Sequence, residues 1–265
     1  MKIGFIGAGN MASAIINGAV KSGKFEPNGI FVYDIHSDKM QALKDSLGVN
    51  YCDSADGLIE AVDAVVLAVK PNAFPSLLES VRETVKRSGV LVISIAAGKS
   101  VAEINALLGS EVPVVRIMPN INATVLEAMS AYCCNSTVID AQKALVEKLC
   151  SSFGKVVAID EEKFSAYSAI AGCAPAFSYM FIDSLARAGV KNGLSKAQAL
   201  EIAAQTVLGS AKKILDSGEH PWELVDKVCS PGGTTIEGVC ALQENGFEAT
   251  VASAVDASYL KDKTL

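Results

Sequence analysis

The chain has 265 residues, of which half are hydrophobic, and its formal net charge is −6. This length suits one large domain or two ordinary ones, with enough apolar residues for a sizeable core. The acidic balance, without a basic cluster, argues against nucleic acid or an anionic membrane surface as a partner. The apolar stretch at the N-terminus is too short for a signal peptide, so we expect a cytoplasmic protein.

Cysteine and histidine usage indicates neither a disulfide framework nor a metal site. The seven cysteines are odd in number, form no C-x-x-C pair and mostly stand among apolar residues. We interpret them as small core residues in a reducing compartment. Because His36 and His220 are the two histidines of the chain, the sequence also argues against zinc sites and histidine-based triads.

The chain is organised around a glycine turn near its start. Ile3–Ile6 is short and apolar, which is typical of a buried strand, and an apolar helical pattern begins after Gly9. Gly7 permits a sharp turn, Gly9 lets a ligand approach the backbone, and Ala12 lets the helix pack on the sheet. This pattern predicts a dinucleotide-binding turn with the pyrophosphate at the helix N-terminus. The alternative is a glycine turn with a purely structural role.

The first part of the chain alternates between predicted strands and helices. The predicted strands are Ile3–Ile6, Ile30–Tyr33, Ala64–Val69, Val90–Ile95, Val114–Met118, Met129–Cys133 and Val156–Ala158. After the helix of the glycine turn, the predicted helices are Asp38–Leu47, Phe74–Lys86, Val101–Leu108 and Ala141–Ser151. Such alternation predicts an α/β fold, a Rossmann-like doubly wound parallel sheet with helices on both faces. We place this dinucleotide-binding domain at residues 1–160.

For residues 161–265 the sequence predicts helices only. They are Glu161–Asn192 with an interruption, Lys196–Ser217, Trp222–Val228, Thr235–Asn245 and Glu248–Lys263. Within the first, Ala169–Ile182 is apolar on nearly every side, yet too short and too broken by Gly172 and Pro175 to span a bilayer. A small helical domain has little room to bury such a helix by itself. We therefore predict an all-α domain that packs between the subunits of an oligomer.

Small, polar and turn-forming residues follow the predicted strands. Ligands of open α/β sheets bind beyond the carboxyl ends of the strands, so these residues are candidates for a cofactor groove. The candidate cofactor-binding residues are Ile6, Gly7, Ala8, Gly9, Asn10, Met11, Asp34, His36, Ser37, Ala68, Val69, Lys70, Pro71, Ala96, Ala97, Gly98, Pro119 and Asn120. The alternative for Gly98 and for Pro119 is that each of them only ends a strand. Lys70 is either a catalytic acid or a residue that marks a strand end, and we favour the second.

The residues after the second strand leave the choice between NADH and NADPH open. Asp34 ends that strand some 25 residues after Gly9, where an acidic residue hydrogen-bonds the ribose hydroxyls of NAD. Its carboxylate would repel a 2′-phosphate, whereas His36, Ser37 and Lys39 could hold one. The alternative for His36 is a solvated loop histidine.

A second informative stretch, Ser230–Thr235, lies between two of the C-terminal helices. It reads Ser-Pro-Gly-Gly-Thr-Thr, which places two glycines and two threonines at a predicted helix start. Free N–H groups and hydroxyls in such a place are suited to binding a carboxylate. Thr234 or Thr235 could instead cap the helix. Because capping does not require Pro-Gly-Gly before it, we favour ligand contact.

The same stretch resembles the C-terminal signature of the pyrroline-5-carboxylate reductases. The signature covers Pro221, Leu224, Val228, Ser230–Thr235, Gly238, Leu242 and Gln243. The other matching segments are Ile3–Ala12, Ala68–Pro71, Ala96–Gly98 and Met118–Asn120. The likeness spans nearly the whole chain in the right order. The chain departs from the family at residues 170–177, where Ser-Gly-Ser-Gly-Pro-Ala-Tyr is usual, and near Ala55, where an asparagine is common.

The resemblance implies NADPH- or NADH-dependent reduction of 1-pyrroline-5-carboxylate to L-proline, the last step of proline biosynthesis. It implies that Thr235 is the catalytic partner of the ring nitrogen and that Ser230, Gly232, Gly233 and Thr234 bind the substrate. It also implies a homodimer through the C-terminal helices, with five dimers able to form a decamer. Two alternatives stay open: a reductase of another cyclic imine, and a nicotinamide-nucleotide-binding sensor without turnover.

Overall fold

The computed structural model describes residues 1–264, apart from the side chain of Pro71. The chain divides into two compact units, Met1–Gly172 and Cys173–Thr264. The first unit contains the strands and the second consists of helices. The predicted order of an α/β part before an all-α part is therefore confirmed.

An eight-stranded sheet forms the centre of the first unit. In chain order its strands are β1 (Ile3–Ile6), β2 (Ile30–Tyr33), β3 (Asn50–Tyr51), β4 (Ala64–Leu67), β5 (Leu91–Ser94), β6 (Val114–Met118), β7 (Ala128–Cys134) and β8 (Gly154–Ala158). Their spatial order is β3-β2-β1-β4-β5-β6-β7-β8, so the winding reverses between β1 and β4. Doubly wound sheets bind their ligands outside this switch point.

One pairing departs from the parallel arrangement that the sequence predicts. β7 runs antiparallel to β6, with Met118 opposite Ala131. The reason is the short connection, since only residues 119–127 separate the two strands and a parallel crossover needs about a dozen residues or more. β8 again pairs parallel with β7, because a helix between them supplies the crossover.

Helices cover both faces of the sheet, as predicted. They are α1 (Asn10–Lys21), α2 (Ser37–Leu47), α3 (Ala55–Ala61), α4 (Phe74–Ser88), α5 (Val101–Leu108), α6 (Asp140–Cys150) and the short α7 (Phe164–Tyr167). Successive strand residues point to opposite faces, so Phe5 shares a buried cluster with Ile15 of α1 and Ile6 shares another with Leu78 of α4. The sequence prediction lacks β3 and α3, because a strand of two residues and a helix of seven give little periodic signal.

Residues 161–172, the anchored segment, follow β8 and remain attached to the first unit. Glu161 pairs with Arg116 of β6 at 2.9 Å, and the Arg116 guanidinium lies 4.5 Å from the centroid of the Phe164 ring. These contacts explain why the compact unit extends to Gly172. The domain boundary that the sequence places after residue 160 stays a prediction.

The second unit has a small core and much exposed apolar surface. Its helices are α8 (Ala174–Lys191), α9 (Lys196–Ser217), α10 (Pro221–Val228), α11 (Thr234–Glu244) and α12 (Phe247–Asp262). Ala186, Ala199 and Ala203 form its buried cluster. Large apolar side chains lie exposed on the single chain, among them Tyr179, Met180, Leu208, Leu215 and Val228. An apolar surface of this kind is typical of a protein interface.

By length and composition alone, one helical run within residues 1–264 could cross a membrane, namely Glu161–Lys191. Its first part is the anchored segment, which is bonded to the sheet. The remaining part, α8, carries Asp183, Arg187 and Lys191. Because charged side chains are costly in a bilayer, we interpret the apolar surface of α8 as an interface with protein.

The seven cysteines are free thiols. Burial raises the pKa of the Cys150 thiol to about 12, so this group is protonated and unreactive at neutral pH. Among the described residues, no group of three or more His, Cys, Asp and Glu side chains is arranged to hold a metal ion.

Candidate functional site

The glycine turn between β1 and α1 has the geometry that the sequence predicts. Gly7 has a φ of +105°, a conformation that favours glycine. A Cβ at this position would lie 2.6 Å from the carbonyl oxygen of Ala68, directly after β4. The Gly7 N–H donates to the carbonyl of Tyr33, the last residue of β2, at 2.7 Å. The turn therefore joins the ends of three strands at the switch point.

The first turn of α1 is open to an external anion. Its N-cap is Gly9, no side chain accepts its N–H groups, and no acidic residue stands in it. A Cβ at Gly9 would meet no atom within 4 Å, so the space before the helix is free. Unpaired N–H groups and the positive end of the helix dipole attract a phosphate group.

The first turn of α5, which follows a parallel strand of the same sheet, is closed. Ser100 Oγ accepts the N–H of Glu103 at 3.1 Å, and the Glu161 carboxylate accepts the N–H of Val101 at 2.9 Å. The hydrogen bonds from Ser100 lower the pKa of the Glu103 carboxyl below its usual value. Of these two helix starts, that of α1 is the one whose first N–H groups remain open to a pyrophosphate.

Asp34 has a role in the turn that sequence reasoning missed. Its Oδ2 accepts the N–H of Ala8 at 2.7 Å, and its Oδ1 accepts the N–H of His36 at 2.9 Å. Through these two hydrogen bonds, the Asp34 carboxylate links the glycine turn to the residues that follow β2. The pattern of residues along one strand cannot reveal the hydrogen bond between Ala8 and Asp34, because the two residues lie 26 positions apart in the chain. A bond from Asp34 to ribose hydroxyls stays a prediction.

A cleft of about 560 Å³ opens at the switch point and brings many predicted cofactor residues together. Those that line it are Ile6, Gly7, Gly9, Asp34, His36, Ala68, Val69 and Lys70. Lys39, which the sequence suggests as a phosphate partner, lines it as well. Asn72, Ser76 and Ser80 also line the cleft and were missed. For Ser76 and Ser80 the reason is that the helical pattern of α4 reveals only its buried face.

The structure places the other predicted cofactor residues outside the lining of this cleft. They are Ala8, Asn10, Met11 and Ser37 next to it in the chain, Ala96, Ala97 and Gly98 after β5, and Pro119 and Asn120 after β6. Pro71 lies in a 3₁₀ turn, and its side chain lies outside the described residues. The cofactor contacts of all these residues stay predictions.

The side chain of Asn120 is occupied by the protein. Its Nδ2 donates to the Ala171 carbonyl at 2.9 Å, and its Oδ1 accepts the Met129 N–H at 3.3 Å. Pro175 explains the first bond, because a proline has no N–H to give to the carbonyl four residues earlier. Asn120 therefore supplies the donor that the helical run lacks.

The stretch Ser230–Thr235 forms a tight turn into α11. The Gly233 N–H donates to the Ser230 carbonyl at 3.0 Å, and Gly232 has a φ of +67°. Proline in the second and such a glycine in the third position are typical of a type II turn. A Cβ on Gly233 would collide with Ser230 Oγ, so a larger residue would require the Ser230 side chain to move.

The two threonines after this turn do not cap the helix. The N-cap of α11 is Gly233, without a side-chain hydrogen bond to the first turn. Thr234 and Thr235 are exposed, and within residues 1–264 their hydroxyls make no hydrogen bond to the protein. The capping alternative is therefore not realised, and both hydroxyls are available to a ligand.

These features define a class of protein. A Rossmann-like sheet with an open helix start at its switch point binds a dinucleotide, and the fold is typical of nicotinamide-dependent oxidoreductases. Residues 2–98 match the family model described as NADP oxidoreductase coenzyme F420-dependent. Residues 161–265 match the model described as pyrroline-5-carboxylate reductase dimerisation.

Relatives match the chain over its whole length. The pyrroline-5-carboxylate reductase of Escherichia coli (strain K12) is 40% identical over 264 residues, which covers 100% of this chain and 98% of the relative. That of Methanosarcina acetivorans is 39% identical over 266 residues, covering 100% and 97%.

Solved structures agree with these relatives. A pyrroline-5-carboxylate reductase from Coxiella burnetii has a TM-score of 0.96 at 31% identity, over 99% of this chain and 97% of that chain. The pyrroline carboxylate reductase of Plasmodium falciparum, with NADP bound, has a TM-score of 0.86 at 34% identity, over 100% and 97%. The chain belongs to the pyrroline-5-carboxylate reductase family.

Proposed function

We propose that this chain reduces 1-pyrroline-5-carboxylate to L-proline with NADPH or NADH, in the cytoplasm, as the last step of proline biosynthesis. The observation that carries the proposal is the turn before α11, which presents two exposed threonine hydroxyls without a hydrogen-bond partner among the described residues. Full-length similarity to reductases of this name supports it.

The first unit fits a nicotinamide dinucleotide. The open start of α1 and the free space at Gly9 suit the pyrophosphate, and the cleft beside them contains Asp34 and His36. When bound, the reduced nicotinamide supplies a hydride. The residues after β5, Ala96 to Gly98, would hold the cofactor through backbone groups.

The turn Ser230–Gly233 and the two threonines would hold the imine. Ser230, Gly232, Gly233 and Thr234 would bind the substrate carboxylate through N–H groups and hydroxyls. The Thr235 hydroxyl would hydrogen-bond the ring nitrogen, which keeps the adjacent carbon electrophilic as it accepts the hydride. Catalysis would then rest on positioning and on a fixed polar environment.

The choice of cofactor would be made at the start of α2. Both Asp34 oxygens already accept a backbone N–H, which lowers the tendency of this carboxylate to repel a 2′-phosphate. His36 and Lys39 line the cleft there, and no side chain caps the first turn of α2. This arrangement supports the use of both NADPH and NADH.

The second unit would form a homodimer through its helices, and five dimers would form a decamer. The exposed apolar side chains of that unit support the dimer, as does the match to a dimerisation model. Phe181, which contacts Phe247 and is partly exposed, is a suitable probe. We expect Phe181→Glu to split or unfold the assembly in light scattering. A wild-type protein that is monomeric at micromolar concentration would contradict this proposal.

The decisive experiment measures cofactor oxidation with 1-pyrroline-5-carboxylate and with its six-membered homologue, using NADH and NADPH in parallel. We expect turnover with the five-membered imine. Preference for the six-membered ring would indicate a reductase of another cyclic imine. Cofactor binding without oxidation of the cofactor by either imine would indicate a sensor.

A further inference from the structure

The loop after β5 is held at its two ends and free between them. At one end, the Ala96 N–H donates to Ser94 Oγ at 3.3 Å. At the other end the loop enters α5 at Ser100. Between these ends, the N–H groups of Ala97 and Gly98 make no hydrogen bond to any described residue, and Gly98 has a φ of +70°. The position of the loop therefore depends on its ends.

Glu161 fixes the second end from a distant part of the chain. Its Oε1 accepts the N–H of Val101, the first residue of α5, at 2.9 Å. The same oxygen accepts a hydrogen bond from Arg116 Nη1, also at 2.9 Å. The Arg116 side chain is 11% exposed and the Glu161 side chain 31%, so the ion pair is partly shielded from water. A charge-assisted bond in such surroundings is stronger than one at the surface.

Arg116 holds Glu161 in place from the sheet. It projects from β6, and the ring of Phe164 lies against its guanidinium. Further along the anchored segment, the Tyr167 hydroxyl donates to the carbonyl of Met129 at 2.6 Å. The carboxylate that reaches α5 is thus attached to a strand next to β5.

We propose that Glu161 is a positioning residue, which holds the first turn of α5 and thereby sets the loop Ala96–Ser100 for the cofactor. The proposal rests on the proposed function, which gives Ala96, Ala97 and Gly98 a cofactor contact. It goes beyond that function because it gives the anchored segment a role, which is to hold a cofactor-binding loop in position.

The test compares Glu161→Ala with Glu162→Ala. Glu162 is its exposed neighbour and makes no hydrogen bond or ion pair among the described residues. In the first variant we expect hydrogen exchange of the hydrogen-bonded amides of Ser100 and Val101 to rise by about tenfold or more. We also expect the Kd of NADPH to rise by about tenfold. Glu162→Ala should change neither quantity, and Glu161→Gln, which keeps an acceptor oxygen, should recover part of both.

Glu161→Ala also leaves the Arg116 charge without a partner, which by itself destabilises the fold. The double variant Arg116→Met with Glu161→Ala removes this orphaned charge. If Glu161 positions the loop, faster exchange and weaker NADPH binding persist in the double variant even where the melting temperature recovers. If hydrogen exchange and NADPH binding both returned to wild-type values in the double variant, the proposal would be overturned. It would also be overturned if Glu161→Ala behaved like Glu162→Ala.

The proposed function fails in a different way. A wild-type protein that does not oxidise NADPH with 1-pyrroline-5-carboxylate would overturn the function. The exchange rates of the Ser100 and Val101 amides would still decide whether Glu161 holds the start of α5.

Discussion

Four helices of this protein begin in two different ways. α1 and α11 begin after Gly9 and Gly233, and no side chain accepts their first N–H groups. α5 and α9 begin after Ser100 and Ser195, whose hydroxyls each accept an N–H of the first turn. A serine cap contributes about 1 kcal/mol of stability compared with alanine.

The two pairs of helices differ in the N–H donors that they leave free. At the capped starts a serine hydroxyl already accepts an N–H of the first turn, so an anion would add no hydrogen bond to that N–H. The glycine starts leave donors unpaired, and each follows a turn with a positive φ that favours glycine, at Gly7 and at Gly232. We therefore predict that ligand groups complete the hydrogen bonding at these two open starts.

The largest effect that would test this comparison is expected at Thr235. Its hydroxyl lies in the first turn of α11 and caps nothing. We expect Thr235→Ala to lower kcat and kcat/KM together by about tenfold to a hundredfold, or ~1.4–2.8 kcal/mol, as the loss of a transition-state hydrogen bond does. Steady-state kinetics with saturating cofactor would measure it, and cofactor affinity should not change.

Thr234→Ala is the matched control, because it removes the neighbouring hydroxyl. It should raise KM for the imine more than it lowers kcat, if Thr234 holds the carboxylate. A Thr235→Ala enzyme with normal turnover and a lower melting temperature would refute the catalytic role.

Sequence reasoning predicts the helix starts well, because their signals are local. The helix after Gly9 and the helix Val101–Leu108 can each be read from a few neighbouring residues, and in the structure they have Gly9 and Ser100 as N-caps. The antiparallel β7 was not predicted, because pairing direction depends on the length of a connection and not on strand composition. The bond between Asn120 and Ala171 was missed for a related reason, since 51 residues separate the two partners.

The next effect concerns Gly9. Its φ of −75° suits any residue and its Cβ space is open, so Gly9→Val should keep the fold. The branched side chain would occupy the space before α1, and cofactor binding should weaken by about tenfold or more, ~1.4 kcal/mol. Calorimetric titration with NADPH would measure the loss.

Gly29→Val is the control in the same unit, because a Cβ at Gly29 would lie no closer than 3.5 Å to its nearest neighbour, the Met1 carbonyl oxygen. Equal cofactor affinity of the Gly9 variant and the wild type would show that the open start of α1 does not bind the pyrophosphate.

A smaller effect is expected at Asp34, which accepts a hydrogen bond from the glycine turn. Asp34→Ser removes a negative charge near His36 and Lys39, so kcat/KM with NADPH should rise relative to NADH by about fivefold, ~1 kcal/mol. Because the variant also loses the bonds to the N–H groups of Ala8 and His36, binding of both cofactors should weaken. An unchanged ratio of the two kcat/KM values would show that Asp34 does not set the choice.

The smallest effect on the reaction is expected at Ser195, which caps α9 by accepting the Gln198 N–H at 3.4 Å. Ser195→Ala removes one hydroxyl from a helix start of the second unit, as Thr235→Ala does, but at a start that is already closed. The free energy of unfolding should fall by up to ~1 kcal/mol, because the first turn loses its cap. Both kcat and KM should match the wild type at a temperature where the variant is folded. Denaturant titration together with steady-state kinetics separates the two quantities. If Ser195→Ala lowered kcat as much as Thr235→Ala, any weakened helix start would reduce turnover, and the distinction between open and closed starts would not hold.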